Sequence, residues 1–163
     1  MDFSGLKEAA ADAAERREKY SKEFCKDGRY IMKYVGAYEN KNFKRENFIY
    51  LEMEIVKVLE GEGHLVGDVV LYRFKENVHV MKNLAELMTG ILGTEDLDTE
   101  IGEAFLKAED NEFAGSLFKA KKYMSKWTTD EGEDRARHAI DVDFLTKEDA
   151  EAEGIEEISP LWD

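Results

Sequence analysis

Residues 48–59, FIYLEMEIVKVL, alternate with a period of two: Ile49, Leu51, Met53 and Ile55 face one way, and Phe48, Tyr50, Glu52 and Glu54 the other. That alternation specifies a strand with one buried face. Val56 and Val58 then carry the apolar side on the opposite parity, which predicts a bulge near Ile55–Val56. Residues 29–38 and 68–75 also read as strands. The polar run Glu39–Asn47 reads as a long first connection, and EGEGHLVGD as a glycine-rich turn. After the third strand the period changes. NVHVMKNLAELMTGILG, 77–93, sets Val80, Leu84, Leu87, Met88 and Ile91 at helical spacing, with Asn77 as N-cap and Gly93 as stop. A short second helix is expected over 98–109. Residues 113–127 and 136–145 return to strand, joined by the hairpin TTDEGEDR.

Three strands, a helix and two more strands is the order of an OB-fold, a five-stranded Greek-key barrel with its helix between strands three and four. The expected class is therefore mainly β (α+β). A β-sandwich or an SH3-like barrel are the alternatives, and neither calls for a long helix only at this point. Ahead of the barrel, residues 4–24 place Leu6, Ala10, Ala13, Tyr20 and Phe24 near helical spacing, with Arg17 interrupting the face and Gly28 ending the segment. The expected organisation is an N-terminal helical extension over 1–27, an OB-fold domain over 28–147 and an acidic C-terminal tail over 148–163. A chain of 163 residues suits one such domain.

Charge is distributed unevenly. The chain carries 37 acidic and 23 basic residues, net −14, which taken whole argues against a nucleic-acid partner. Yet EDAEAEGIEEISPLWD, 148–163, holds seven acids and no base, half of that excess. Glu76 to Glu112 holds ten more acids against Lys82 and Lys107. Two stretches are basic by contrast, and a binding site feels its local field. One is 29–45, with Arg29, Lys33, Lys41, Lys44 and Arg45 among Tyr30, Tyr34, Tyr38 and Phe43. The other is 113–127, with Lys119, Lys121, Lys122 and Lys126 among Phe113, Phe118, Tyr123 and Trp127.

Catalytic and metal chemistry find little support. His64, His79 and His138 are far apart, no pair of side chains has metal-ligand spacing, and P-loop, dinucleotide and nucleophile-elbow motifs are missing. His138 shares a face with Ile140 and Val142 and reads as a core or edge histidine. Cys25 stands alone, which suits a reducing, cytoplasmic setting and a small buried side chain. No cofactor is expected. No apolar run approaches the roughly 18 residues of a membrane span, and MDFSGLKEAA lacks the features of a secretory leader.

A groove that tracks phosphates with cations and stacks bases on aromatic rings binds single strands without reading sequence. The candidate cations are Lys33, Lys41, Lys44, Arg45, Arg73, Lys119, Lys121, Lys122 and Lys126. The candidate stacking rings are Tyr34, Tyr38, Phe43, Tyr50, Tyr72, Tyr123 and Trp127. Half the aromatics of any strand face inward, so Phe118 and some of Tyr30, Tyr34 and Tyr72 belong equally to a core. Two other readings stand beside this one. A protein-interaction module would use the groove for a peptide, and a magnesium nuclease would need Glu52, Glu54, Asp141 and Asp143 to converge.

With strand order, basic aromatic strands and acidic tail together, the chain resembles the single-stranded DNA-binding proteins of bacteriophages. The resemblance rests on GRYIMKYVGAYENKNFKRENFIYLEMEIVKVLEGEGHLVGD, on the helical insert VHVMKNLAELMTGILG after the third strand, and on an acidic C-terminus with a terminal aromatic. It covers about residues 28–145 and the tail. Relatives often end in phenylalanine where this chain ends Trp162-Asp163. The resemblance implies a protein of phage DNA replication, recombination and repair, acting in the host cytoplasm and carrying no catalytic residues. It also implies that the tail, through Glu156, Glu157, Leu161, Trp162 and Asp163, recruits a polymerase, helicase or primase. The helix at 4–24, outside the minimal OB core, either packs on the barrel or mediates self-association as a homodimer.

Overall fold

The computed structural model describes residues 2–11 and 22–155. Its strands are β1 (Gly28–Lys41), β2 (Asn47–Glu60), β3 (Val69–Lys75), β4 (Leu117–Thr128) and β5 (Asp134–Phe144). Helices α1 (Val80–Leu92) and α2 (Thr99–Phe105) lie between β3 and β4, and α3 (Lys147–Ala152) follows β5. The strands form one antiparallel five-stranded sheet in the order β3-β2-β1-β4-β5. No helix among the described residues is long and apolar enough to cross a membrane.

The alternation in β2 sets the two faces. Ile49, Leu51, Met53 and Ile55 are buried on the inner face with Tyr30, Met32, Tyr34, Val70 and Phe118. The stripe Leu84, Leu87, Met88, Ile91 and Leu92 of α1 covers them. The bulge is where the alternation predicts it. Ile31 pairs with Lys57 and Met32 with Ile55, so Val56 has no opposite residue on β1. Beyond it Val58 returns to the inner core, while Val56 joins a smaller outer cluster of Ile31, Leu117, Leu145, Ala150 and Ile155. That outer cluster seats α3. Glu153, just past α3, accepts from the Lys57 and Lys119 ammonium groups at 3.2 and 3.3 Å. The acidic C-terminal segment thus begins as a packed element before residues 156–163.

Several boundaries move from their sequence-based positions. α1 starts at Val80, and Asn77 accepts from the His79 main-chain N–H at 2.9 Å instead of capping the helix itself. Gly93 ends α1 in the left-handed region at φ 72°, as predicted, where a side chain would also meet Phe144. The second helix stops at Phe105, and residues 113–116 are a turn. The first connection is short, because β1 runs on to Lys41 and the hairpin closes through Asn42 N–H to Glu46 O at 3.0 Å. At the N-terminus, residues 6–11 are helical, residues 12–21 of the expected helix lie outside the described residues, and Phe24 bridges to Leu71 in extended form.

The closed barrel expected from the sequence does not form. β3 and β5 are the two edges of the sheet. The reason is visible at Leu71, whose outward N–H donates to Glu23 O at 2.9 Å and whose carbonyl accepts from Cys25 N–H at 2.8 Å. The chain ahead of β1 has taken the bonds that closure would use there. On the other edge α1 packs against β5 so closely that a Cβ on Gly90 would collide with the Val142 main chain. Both edges are thereby covered in part, which meets the need of edge groups for partners without closure. Among the described residues a long hydrogen bond spans the seam, from the Tyr72 hydroxyl to His138 O at 3.4 Å.

Candidate nucleic-acid interface

The outer face of β1, β2 and β3 carries a row of rings and a cation. Register sets Tyr38 opposite Tyr50, and Tyr50 opposite Arg73. The tyrosine rings stack with centroids 5.3 Å apart and planes 6° from parallel. Phe48 leans on Tyr50 at 6.4 Å. The Arg73 guanidinium sits 4.5 Å from the Phe48 ring centre and 5.2 Å from that of Phe24, and donates to the Tyr50 hydroxyl at 3.4 Å. A guanidinium held over rings this way keeps donors available for phosphate, because the rings take none of its N–H groups in strong bonds. Below the row Glu52 is buried and bonded to Lys22 at 2.7 Å.

At the tip of the β1–β2 hairpin, Phe43 is 92% exposed with the Lys44 ammonium 5.7 Å from its ring centre. Arg45 sits in the left-handed region at φ 62°, and Lys41 and Arg45 are both exposed. An exposed phenylalanine at a cationic tip contributes nothing to the core, so its hydrophobic surface remains for a ligand. The β4–β5 hairpin forms a second arm. Trp127 is 45% exposed with the Arg137 guanidinium 5.7 Å from its ring centre, and Lys126 lies beside it in the open. Nearer the sheet, the Lys121 ammonium lies 5.1 Å from the Tyr123 ring centre, and Tyr123 donates to Asp141 at 3.3 Å.

Four candidates from the sequence sit elsewhere. Tyr34 is fully buried, stacks on Phe105 at 4.6 Å and donates to Phe105 O at 2.7 Å. It is core, on the inner side of the alternation. Lys122 points inward and is nearly buried, bonded to Asp27 and to His138 Nδ1, each at 2.9 Å. Lys119 is held by Glu153, and Lys33 faces Glu54 at 3.7 Å. Tyr72 lies between the two classes, packed against the core with its hydroxyl at the seam. Phe24 and Arg137 are not among the candidates the sequence offers. Its spacing puts Phe24 in a helix, but the parity of β5 sets Arg137 opposite to His138, Ile140 and Val142.

Between the β3 and β5 edges lies a cleft of about 960 Å³. Phe24, Phe48, Arg73 and Lys75 line one side, and Lys122, Tyr123, Arg137 and His138 the other. Burial raises the Tyr72 hydroxyl pKa; the nearby Arg137 charge opposes the rise, and Tyr123 and Asp141 add to it. Cys25 also lines the cleft, but burial pushes its thiol up to about 12, so it is an inert side chain at neutral pH. Among the described residues no group of three or more His, Cys, Asp or Glu is arranged to hold a metal ion. Glu52 and Glu54 lie on β2, and Asp141 and Asp143 on β5, with β1 and β4 between them.

An acid pair borders the row of rings. Glu76 follows β3 next to Phe48 and Lys75, and its carboxyl is pushed up to about 7, first by the hydrogen bond with Glu39 and then by burial. A carboxyl with a raised native pKa stabilises the fold while protonated. That contribution is complete below 4.5 and is lost as pH rises through about 7. Glu76→Gln is therefore expected to raise the melting temperature above wild type at pH 8 and leave it unchanged at pH 4. Equal melting temperatures at both pH values would contradict the shared proton.

No family model matches the chain, and no curated protein matches its sequence.

Proposed function

We propose that the protein binds single-stranded DNA without reading its sequence and catalyses nothing. The observation that carries the reading is the row Tyr38–Tyr50–Arg73 with Phe48, half-buried rings on the outer face and a fixed guanidinium on adjacent strands. Bases stack on tyrosine faces with about 1–3 kcal/mol per base, and any base will do. Phe43 with Lys44 at one end and Trp127 with Arg137 at the other extend the path. The architecture supports this reading as an OB-fold opened at its β3–β5 seam, since strand order and helix position are those of that fold. The face of the second and third strands is where OB-folds take oligonucleotides. On this reading the protein coats transient single strands in phage replication, recombination and repair, in the host cytoplasm. Adding oligo-dT should quench Trp127 fluorescence in a Trp162→Phe background. An unchanged spectrum at saturating oligonucleotide, in protein that is folded, contradicts the reading; a groove that binds peptide instead predicts that result.

The tail residues Glu156, Glu157, Leu161, Trp162 and Asp163 lie outside the described residues. Their proposed roles are recruitment of a polymerase, helicase or primase and competition with DNA for the cations. A tethered acidic segment can reach an effective concentration on the order of millimolar. The packing of α3 decides how to test this. Removing all of 148–163 would also remove Ala150, Glu153 and Ile155 from their seats. Ending the chain at Ile155 leaves them in place. That truncation is expected to tighten oligo-dT binding at low salt and to lose polymerase or helicase binding; affinity equal to the full chain would rule out competition.

A further inference from the structure

The row of rings ends at the β3 edge and the arm begins at the β5 edge, and the open seam lies between them. Arg73 stands on one lip and Arg137 on the other. A strand passing from Tyr50 to Trp127 by this route crosses a stretch with no outer sheet surface beneath it. What lies beneath is the cleft, and its chemistry is unlike that of a packed barrel seam. Its volume of about 960 Å³ falls within the roughly 300–1,000 Å³ typical of small-ligand sites.

The walls suit a base. Tyr72 and Tyr123 line the cleft, their hydroxyls donating to His138 O and to Asp141. Deeper in, the Lys122 ammonium is held by the Asp27 carboxylate and His138 Nδ1, each at 2.9 Å. An ammonium carries three donors, so among the described residues one remains beyond these two bonds. Lys122 is 4% exposed, and burying a cation there is costly unless its bonds are complete. The polar edge of a base, rich in carbonyl and ring-nitrogen acceptors, supplies an acceptor of the right kind. At the lips, Arg73 and Arg137 match the phosphates on either side of that base, while Lys75 is paired with Glu46.

We propose that the seam cleft takes one base of the bound strand out of the stack, its edge toward Lys122 and its flanking phosphates on Arg73 and Arg137. This rests on the single-stranded DNA reading and adds a pocket to the open row of rings. A pocket with fixed donors discriminates between bases where a flat row does not, so a modest preference among homopolymers follows.

The test is photocrosslinking of the full chain with oligo-dT carrying 5-iodo-deoxyuridine, mapped by mass spectrometry. Adducts on Tyr72 or Tyr123 are expected together with adducts on Tyr50 or Trp127. Adducts on Tyr50 or Trp127 alone overturn the cleft and leave the DNA reading standing. Failure of the oligonucleotide to bind at all overturns both. Lys122→Met supplies a second measurement, since Asp27 is largely exposed and tolerates the loss of its partner. It should weaken oligo-dT binding about tenfold, equivalent to ~1.4 kcal/mol, and flatten the preference among homopolymers. Unchanged affinity and preference in a folded Lys122→Met protein overturn the proposal.

Discussion

Replacing Tyr50 and Arg73 together with alanine is expected to weaken oligo-dT binding by about one to two orders of magnitude while leaving the fold intact. Tyr50 stacks on Tyr38, leans on Phe48 and accepts from Arg73, so it is the hub of the outer row. Losing one stacked base costs about 1–3 kcal/mol, and each 1.4 kcal/mol is tenfold in affinity. Removing Arg73 removes a phosphate contact as well, so the slope of log affinity against log salt should flatten by about 0.7. Arg73 is exposed and Tyr50 half-buried on the face away from the main core, so melting should change little. Titration of fluorescent oligo-dT at several salt concentrations checks this, with circular dichroism as the control for folding. A double variant that binds as tightly as wild type would remove the row from the interface.

The opposite pattern is expected at Tyr34. Its ring is fully buried on Phe105, and its hydroxyl donates to Phe105 O. Asn111, also buried, donates to Phe105 O at 2.8 Å and Lys107 O at 2.9 Å, tying the chain after α2 to the same spot. Truncating a buried aromatic to alanine costs about 3–5 kcal/mol. Domains of this kind are stable by about 5–15 kcal/mol, so Tyr34→Ala should leave a marginal or unfolded protein. Tyr34→Phe keeps the ring and loses the buried hydrogen bond to Phe105 O, about 0.5–1.5 kcal/mol, since Asn111 still donates to that carbonyl. Urea unfolding measures both. Tyr34→Phe should bind oligo-dT as wild type does, which separates a core tyrosine from the stacking Tyr38 on the same strand.

The strand order, the bulge at Val56, the apolar stripe of α1 and its glycine stop were legible because each follows from local periodicity or backbone chemistry. The alternation of β2 also assigned Tyr50 and Phe48 to the outer face. Tyr34 and Tyr38 could not be separated in this way. They are four residues apart on one strand and share a parity, but Val35 has no opposite residue on β2, so the two rings emerge on different faces. An extra residue in β1 leaves no mark in a sequence where both parities are apolar. The open seam was illegible for a related reason. It depends on Glu23 and Cys25 reaching Leu71, a contact between segments far apart in the chain, in a stretch whose composition reads as helix. Lys122 looked like a surface lysine because its partners Asp27 and His138 are brought to it only by the folded sheet.

If this net-acidic chain presents a local surface for single-stranded DNA, the affinity of the chain ending at Ile155 for oligo-dT, titrated with salt, reads it out. Tight binding at low salt is expected, weakening linearly on a log–log plot with a slope of about −0.7 for each phosphate contacted. Arg73, Lys44 and Arg137 are each expected to contribute to that slope. No binding at low salt, or binding that salt leaves unchanged, would contradict it.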